Sequence, residues 1–307
     1  MGRIISKNWL RLLLIFFTAF CLTLVGGVVF KTIIHNAGED SLNSDNNESD
    51  QDETPPAEEE PTIPEFIDLQ PVVDEWLATA PGNVGLMIYD LDNDQVAAAS
   101  DAERVFNTAS VYKLFFAYDG YREIDAGRDV GTAVLAITPD KGQLSVWACL
   151  DLIIRESYNG CADPLRADSK RFARAEALAA ELQLKHTSSA GLYSTAADLT
   201  ELMKLYWQHP DLSAESWAAI QDSMLNQPAT TYNWRQGLPA GFTTAEVYNK
   251  VGWNYTGSYW SIYNDVAFLV FPERDRHYII VVLTENFPTY APITALGTIV
   301  ENAILTQ

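Results

Sequence analysis

The order of strand-like and helix-like segments constrains this chain most. Strand-like apolar runs occupy Asn83–Leu91 and Gln95–Ser100, then return only at Val247–Trp253, Tyr259–Phe271 and Tyr278–Leu283. From about 109 to 225 the pattern is helical. Asp92-Asn93-Asp94 supplies a turn in the first strand pair and Arg274-Asp275 one in the last. An amphipathic helix is expected at 69–79 and a final helix at 291–306. Strands near both chain ends with helices between imply an α+β fold. One antiparallel sheet of about five strands would be closed by the two termini, flanked by helices, and joined to an all-α lobe.

The first 65 residues read differently. Arg3, Lys7 and Arg11 precede Leu12–Phe30, nineteen residues without a charge, and Lys31 follows. That length fits a membrane span, and the basic flank predicts a cytoplasmic N-terminus with the rest of the chain outside. A cleaved signal peptide is the rival reading, for which the run is long. Residues 37–65 hold eleven acidic residues, no Lys or Arg, and Pro55, Pro56, Pro61 and Pro64. Such a stretch buries too little apolar surface to fold and reads as an extended linker. The expected organisation is therefore an anchor over 1–36, a linker over 37–65 and one domain over 66–307. The net charge of −21 divides into +4 over 1–38, −11 over 39–65 and −14 over 66–307. An acidic domain argues against nucleic acid as a partner.

Three short motifs follow one another in the domain: Ser110-Val111-Tyr112-Lys113, Ser157-Tyr158-Asn159 and Lys250-Val251-Gly252. A serine hydroxyl needs a neighbouring base to act as a nucleophile at neutral pH. If 109–122 is one helix, Ser110 and Lys113 share a face one turn apart. Near that helix's N-terminus Ser110 also gains from free N–H groups. Lys113 can serve as base only when neutral, which burial and a second cation such as Lys250 would favour. Taken singly, each residue has a plainer reading. Ser110 could be a helix cap, Lys113 a surface charge, Ser157 and Asn159 a turn, and Lys250 an edge-strand charge.

Together and in this order, the motifs resemble the active site of the penicillin-recognising serine acyltransferases, which include class A β-lactamases and penicillin-binding proteins. Phe106-Asn107-Thr108-Ala109, Glu123-Ile124-Asp125-Ala126-Gly127 and Tyr263-Asn264-Asp265-Val266-Ala267 are similar to class A text in the matching places. The resemblance spans about 66–307 and implies a β-lactamase/transpeptidase-like fold with the site between its lobes. It implies Ser110 as nucleophile, Lys113 as base, Ser157 as proton relay and Asn159 as the group orienting Lys113 and the substrate amide. Lys250 and Gly252 would lie along the substrate, with Lys250 on its carboxylate. The N–H groups of Ser110 and Trp253 would form the oxyanion hole. The implied partner is a β-lactam or a peptidoglycan stem peptide, taken by a monomer without cofactor or metal. His35, His186, His209 and His277 are scattered, and no Gly-rich phosphate loop is present.

Three departures from the family matter. Tyr158 replaces an Asp. Val251 replaces a hydroxyl residue that helps bind the substrate carboxylate, a loss of about 1.5–3 kcal/mol. No Glu-x-x-Leu-Asn loop precedes Ser194-Thr195-Ala196-Ala197-Asp198, so the deacylating Glu is missing or comes from elsewhere. Glu176 and Glu181, in an expected helix Arg171–Leu184, read as solvated face positions. The text from Leu184-Lys185-His186-Thr187 to Leu199 is also similar to D-Ala-D-Ala carboxypeptidases. The expected function is thus an extracytoplasmic serine hydrolase that acylates Ser110, with a non-hydrolytic penicillin- or wall-sensing module as the alternative. Trp253, Tyr255, Tyr259 and Trp260 are strand packing or a cleft wall. Cys21 falls in the apolar run. Cys149 and Cys161 flank the middle motif on successive helices, and a disulfide between them is left open.

Overall fold

The computed structural model describes residues 64–189, 191–228, 234–255 and 261–307. The apolar run Leu12–Phe30, nearly all of the acidic segment 37–65, Cys21, Tyr259 and Trp260 lie outside them. Among the described residues no helix is long and apolar enough to cross a membrane.

Five strands form the main sheet: β1 (Asn83–Asp90), β2 (Gln95–Ser100), β7 (Glu246–Tyr255), β8 (Ser261–Phe271) and β9 (Arg276–Glu285). Their order is β2-β1-β9-β8-β7, every pair antiparallel. The first and last strands of the chain therefore meet at the β1–β9 seam, as the segment order required. Val266–Phe271 of β8 and Tyr278–Leu283 of β9 are unbroken apolar runs because both sheet faces are covered there. The outer face carries α1 (Gln70–Leu77) and the final helix α8 (Ala291–Leu305). Val73 and Trp76 of α1 are buried there, and the Trp76 indole donates to Pro292 O at 2.9 Å. Leu86, Ile88, Val247, Val251, Ala267 and Ile280 extend this apolar layer.

The inner face meets the helical lobe. Its centre is α2 (Lys113–Asp125), with ten of thirteen residues buried. Around it pack α3 (Val146–Arg155), α4 (Asn159–Ala167), α5 (Ser169–Glu181), α6 (Ala196–Gln208) and α7 (Ala214–Leu225). Gly120 permits the α2–α3 approach, since a Cβ there would meet Leu150 Cδ2 at 2.5 Å.

Two sequence expectations need correction. The stretch 109–225 is not helical throughout. A hairpin of β4 (Val134–Thr138) and β5 (Gly142–Ser145) interrupts it, and β3 (Phe106–Asn107) pairs with β6 (Tyr193–Ser194). The hairpin's signal was present in Pro139-Asp140 and Gly142, the last at φ +70°. Second, Ser110 lies in a 3₁₀ turn, Ala109–Tyr112, and the α-helix opens only at Lys113. The disulfide that the sequence left open is present: Cys149 and Cys161 are bonded, with Cα atoms 5.2 Å apart. Strand ends also shift: β8 is described from Ser261, and β9 runs on to Glu285 because it pairs with β1 along its length.

Candidate active site

The Ser110 turn is built by the phrases around it. Asn107 Oδ1 accepts from Ala109 N at 2.8 Å, Thr108 N donates to Leu192 O at 2.8 Å, and Asn264 Nδ2 donates to Asn107 O at 2.8 Å. Asn264 thus ties β8 to the segment leading into Ser110, a role the sequence marked only as family-like text. Ala109 takes a left-handed φ of 45° to make the turn. Ser110 itself is half-buried.

Lys113 is 1 % exposed and points at the middle motif. Its Nζ donates to Ser157 O at 2.5 Å, Asn159 Oδ1 at 2.7 Å and Ser157 Oγ at 3.2 Å. Lys250, fully buried on the edge strand β7, donates to the same Ser157 Oγ at 3.0 Å and to Val251 O at 2.7 Å. One hydroxyl therefore sits between two amines. Burial pushes the Lys113 ammonium down to about 7, against the pull of the Asp163 carboxylate on α4. Lys250 is driven well below the ordinary lysine range by burial and then by repulsion from Lys113. Among the described residues no carboxylate forms an ion pair with either amine.

Gly252 faces the same way as Lys250, two residues along the strand. A Cβ there would meet Thr108 O at 2.3 Å and Ser110 N at 3.3 Å, so only glycine lets β7 lie against the Ser110 turn. Ser110, Lys113, Ser157, Asn159, Lys250 and Gly252 therefore converge from three elements. Trp253 is 37 % exposed on the following residue, paired with Tyr263. Val251 turns the other way. It is 1 % exposed among the outer-face apolar residues, so its side chain packs the core and does not line the cleft.

Ser157 has a left-handed φ of 54°, which costs a non-glycine residue about 1–3 kcal/mol and persists only when its surroundings hold it. The Cys149–Cys161 disulfide, both residues fully buried, ties α3 to α4, the two helices on either side of the Ser157 turn. Glu176 departs from expectation. It is half-buried and accepts from Ser189 N at 2.7 Å and from the Ser189 hydroxyl, holding the 186–194 connection to α5. Glu181 is exposed and pairs with Arg122 at 3.0 Å. Asp198 accepts from His186 N and the Thr187 hydroxyl, which closes that connection at its other end. Among the described residues no group of His, Cys, Asp or Glu could hold a metal ion.

A five-stranded antiparallel sheet backed by terminal helices, with a serine and two buried lysines at its junction with a helical lobe, is an α+β fold of the β-lactamase type. The model of the Beta-lactamase enzyme family matches residues 68–304, and the chain belongs to that family. A β-lactamase from Chitinophaga pinensis superposes with a TM-score of 0.65 at 20 % identity, covering 77 % of this chain and 97 % of the other. A class A β-lactamase representative from Bacteroides cellulosilyticus gives 0.66 at 17 % identity, with the same coverages. A point mutant of PBP-A, an acyl-enzyme complex with penicillin G, gives 0.65 at 21 % identity, covering 78 % and 97 %. At these identities the likeness is one of fold. No curated protein matches the chain.

Proposed function

We propose that the chain is a membrane-anchored, extracytoplasmic serine hydrolase that forms an acyl-enzyme on Ser110 with β-lactams or with D-Ala-D-Ala-type wall peptides. The observation that carries this reading is the Lys113–Ser157–Lys250 chain, with Ser157 Oγ 3.2 Å and 3.0 Å from the two amines. Neutral Lys113, favoured by its value of about 7, takes the Ser110 proton as Oγ attacks the carbonyl carbon. The tetrahedral oxygen lies between the N–H groups of Ser110 and Trp253. Ser157 Oγ then passes a proton from Lys113 to the leaving amine. Asn159 orients Lys113 and the substrate amide. Lys250 draws in the substrate carboxylate, whose negative charge returns the buried amine to its charged form. The penicillin G adduct of the PBP-A neighbour supports a β-lactam as one acyl donor.

Leu12–Phe30 would span the membrane with the N-terminus inside, and 37–65 would hold a monomeric domain away from the surface. Glu176 already serves Ser189, which favours slow deacylation. The same observation supports the second reading, a penicillin- or wall-sensing module that acylates without turnover.

Intact mass of the full chain, followed after adding a penicillin, tests both readings. A lasting adduct that Ser110→Ala abolishes supports the acyl-serine site with slow release. A transient adduct with drug hydrolysis supports a turnover enzyme and removes the sensing reading. Turnover by Ser110→Ala would sink both.

A further inference from the structure

The middle motif departs from its family at Tyr158, and the side chain reaches an element absent from the sequence reading. Its hydroxyl donates to Asp140 Oδ1 at 2.5 Å, at the tip of the β4–β5 hairpin. The next tip residue, Lys141, pairs with Glu156 at 2.8 Å and lies over the Tyr158 ring at 5.3 Å. Adjacent hairpin residues therefore grip the two residues on either side of Ser157. Glu156 is held a second time, through its carbonyl, by the Trp234 indole at 3.1 Å. The hairpin is itself anchored: Val146 N donates to Ala133 O at 2.8 Å, and Trp147 N to Gly131 O at 2.9 Å.

The gripped residue is the one in strained backbone. Ser157 carries φ 54° and supplies two of the three acceptors that touch Lys113 Nζ. A small relaxation of the loop would withdraw both its carbonyl and its hydroxyl from Lys113 and take the hydroxyl from Lys250. A short aspartate at 158 would leave the hairpin tip without this hydroxyl and ring.

We propose that the β4–β5 hairpin is a clamp on the Ser157 loop. Through Asp140 and Lys141 it holds Glu156 and Tyr158, so that Ser157 stays between Lys113 and Lys250. Asp140, Lys141 and Tyr158 are then positioning residues for acyl transfer, which rests on the Ser110 reading above, although the clamp itself does not. The disulfide holds the loop through α4, and the hairpin holds it through Glu156 and Tyr158.

The test compares the full-length chain with Tyr158→Phe, Lys141→Met, their double variant and Asp140→Asn. Two quantities are read. One is the rate of penicillin acylation by quenched intact mass, from well below to well above pH 7. The other is the titration midpoint of the Lys113 amine by NMR of labelled lysine. Because misplacement by about 1 Å can cost about 100-fold in rate, the double variant should acylate at least about tenfold more slowly. Its Lys113 midpoint should move, while its melting temperature stays within a few degrees. Asp140→Asn keeps an acceptor for the Tyr158 hydroxyl and should stay near the parent in both. An unchanged rate and midpoint in the double variant would overturn the clamp. So would a slower rate that only tracks lost melting temperature with the midpoint unmoved. If the double variant does not fold, Tyr158→Phe, which removes one hydroxyl, decides by the same readouts. If the parent itself takes no acyl group, the Ser110 reading fails, and the Lys113 midpoint still judges the clamp.

Discussion

The two faces of the sheet each bury a polar cluster beside β7, and they bury it differently. On the outer face Asp265 lies opposite Val251. Its carboxylate accepts from Asn249 Nδ2 and from Leu238 N, both at 2.8 Å, with Arg235 and Lys250 adding attraction. On the inner face the charge-bearing groups are the amines of Lys113 and Lys250, and what touches them is neutral: a hydroxyl, two carbonyls and an amide oxygen. A buried charge whose partners all come from the protein holds structure, because removing any partner leaves the charge unpaired. Two buried amines whose hydrogen-bond partners are all neutral, with carboxylates acting on them only at a distance, leave room for an anion to add attraction. The outer cluster should therefore govern stability and the inner one chemistry.

The largest effect expected is on the inner face. Lys113→Met should lower the acylation rate by about 100- to 10,000-fold, the usual range for a lost general base, while thermal unfolding occurs at the same or a higher temperature because a buried charge is gone. A variant that unfolds much earlier would break the comparison. In the parent chain, the acylation rate should rise with pH through about 7 as Lys113 loses its proton.

On the outer face Asp265→Ala should cost about 3 kcal/mol in urea unfolding, since it leaves buried donors unpaired. Asp265 also gives the comparison a pH signature. Burial, opposed by its bonds, raises its folded value from 3.8 to about 7, so between those values the folded state holds more proton than the unfolded one. This contribution is full below the unfolded value and is lost as pH rises through about 7. Stability differences between the parent chain and Asp265→Asn should follow that window. A flat difference would show that Asp265 does not titrate there.

The disulfide bridges the inner loop at a separation of 12 residues. Cys149→Ala with Cys161→Ala should lower stability by about 2–3 kcal/mol, read from denaturant midpoints. The smallest effect separates the faces most directly. Val251→Thr puts a hydroxyl into the outer apolar layer and should cost about 1–2 kcal/mol, with acylation within about twofold of the parent. A large gain in acylation would mean that this side chain reaches the cleft.

The sheet was legible from the chain because Val266–Phe271 and Tyr278–Leu283 are unbroken apolar runs and because strands at both ends leave few ways to close. Lys113 and Lys250 were legible as candidates through spacing and text alone. The β4–β5 hairpin was marked only by its turn residues, since Val134–Ser145 is short, half-exposed and embedded among helices, so its period carries little weight against theirs. The role of Tyr158 could not be read without that hairpin. Glu176 was misread because helical periodicity reports which face a residue is on, while what covers that face comes from the distant 186–194 connection.

By itself, then, the sequence determined the order of elements, the apolar faces and the candidate side chains of the three motifs, all of which depend on neighbours within a turn or a strand. Tertiary structure alone decided that one Ser157 hydroxyl lies between two amines, that Val251 faces the core, and that Cys149 meets Cys161. Those outcomes join residues carried on different elements. Their geometry arises only when the sheet, the helical lobe and the hairpin pack together and take water away from the lysines.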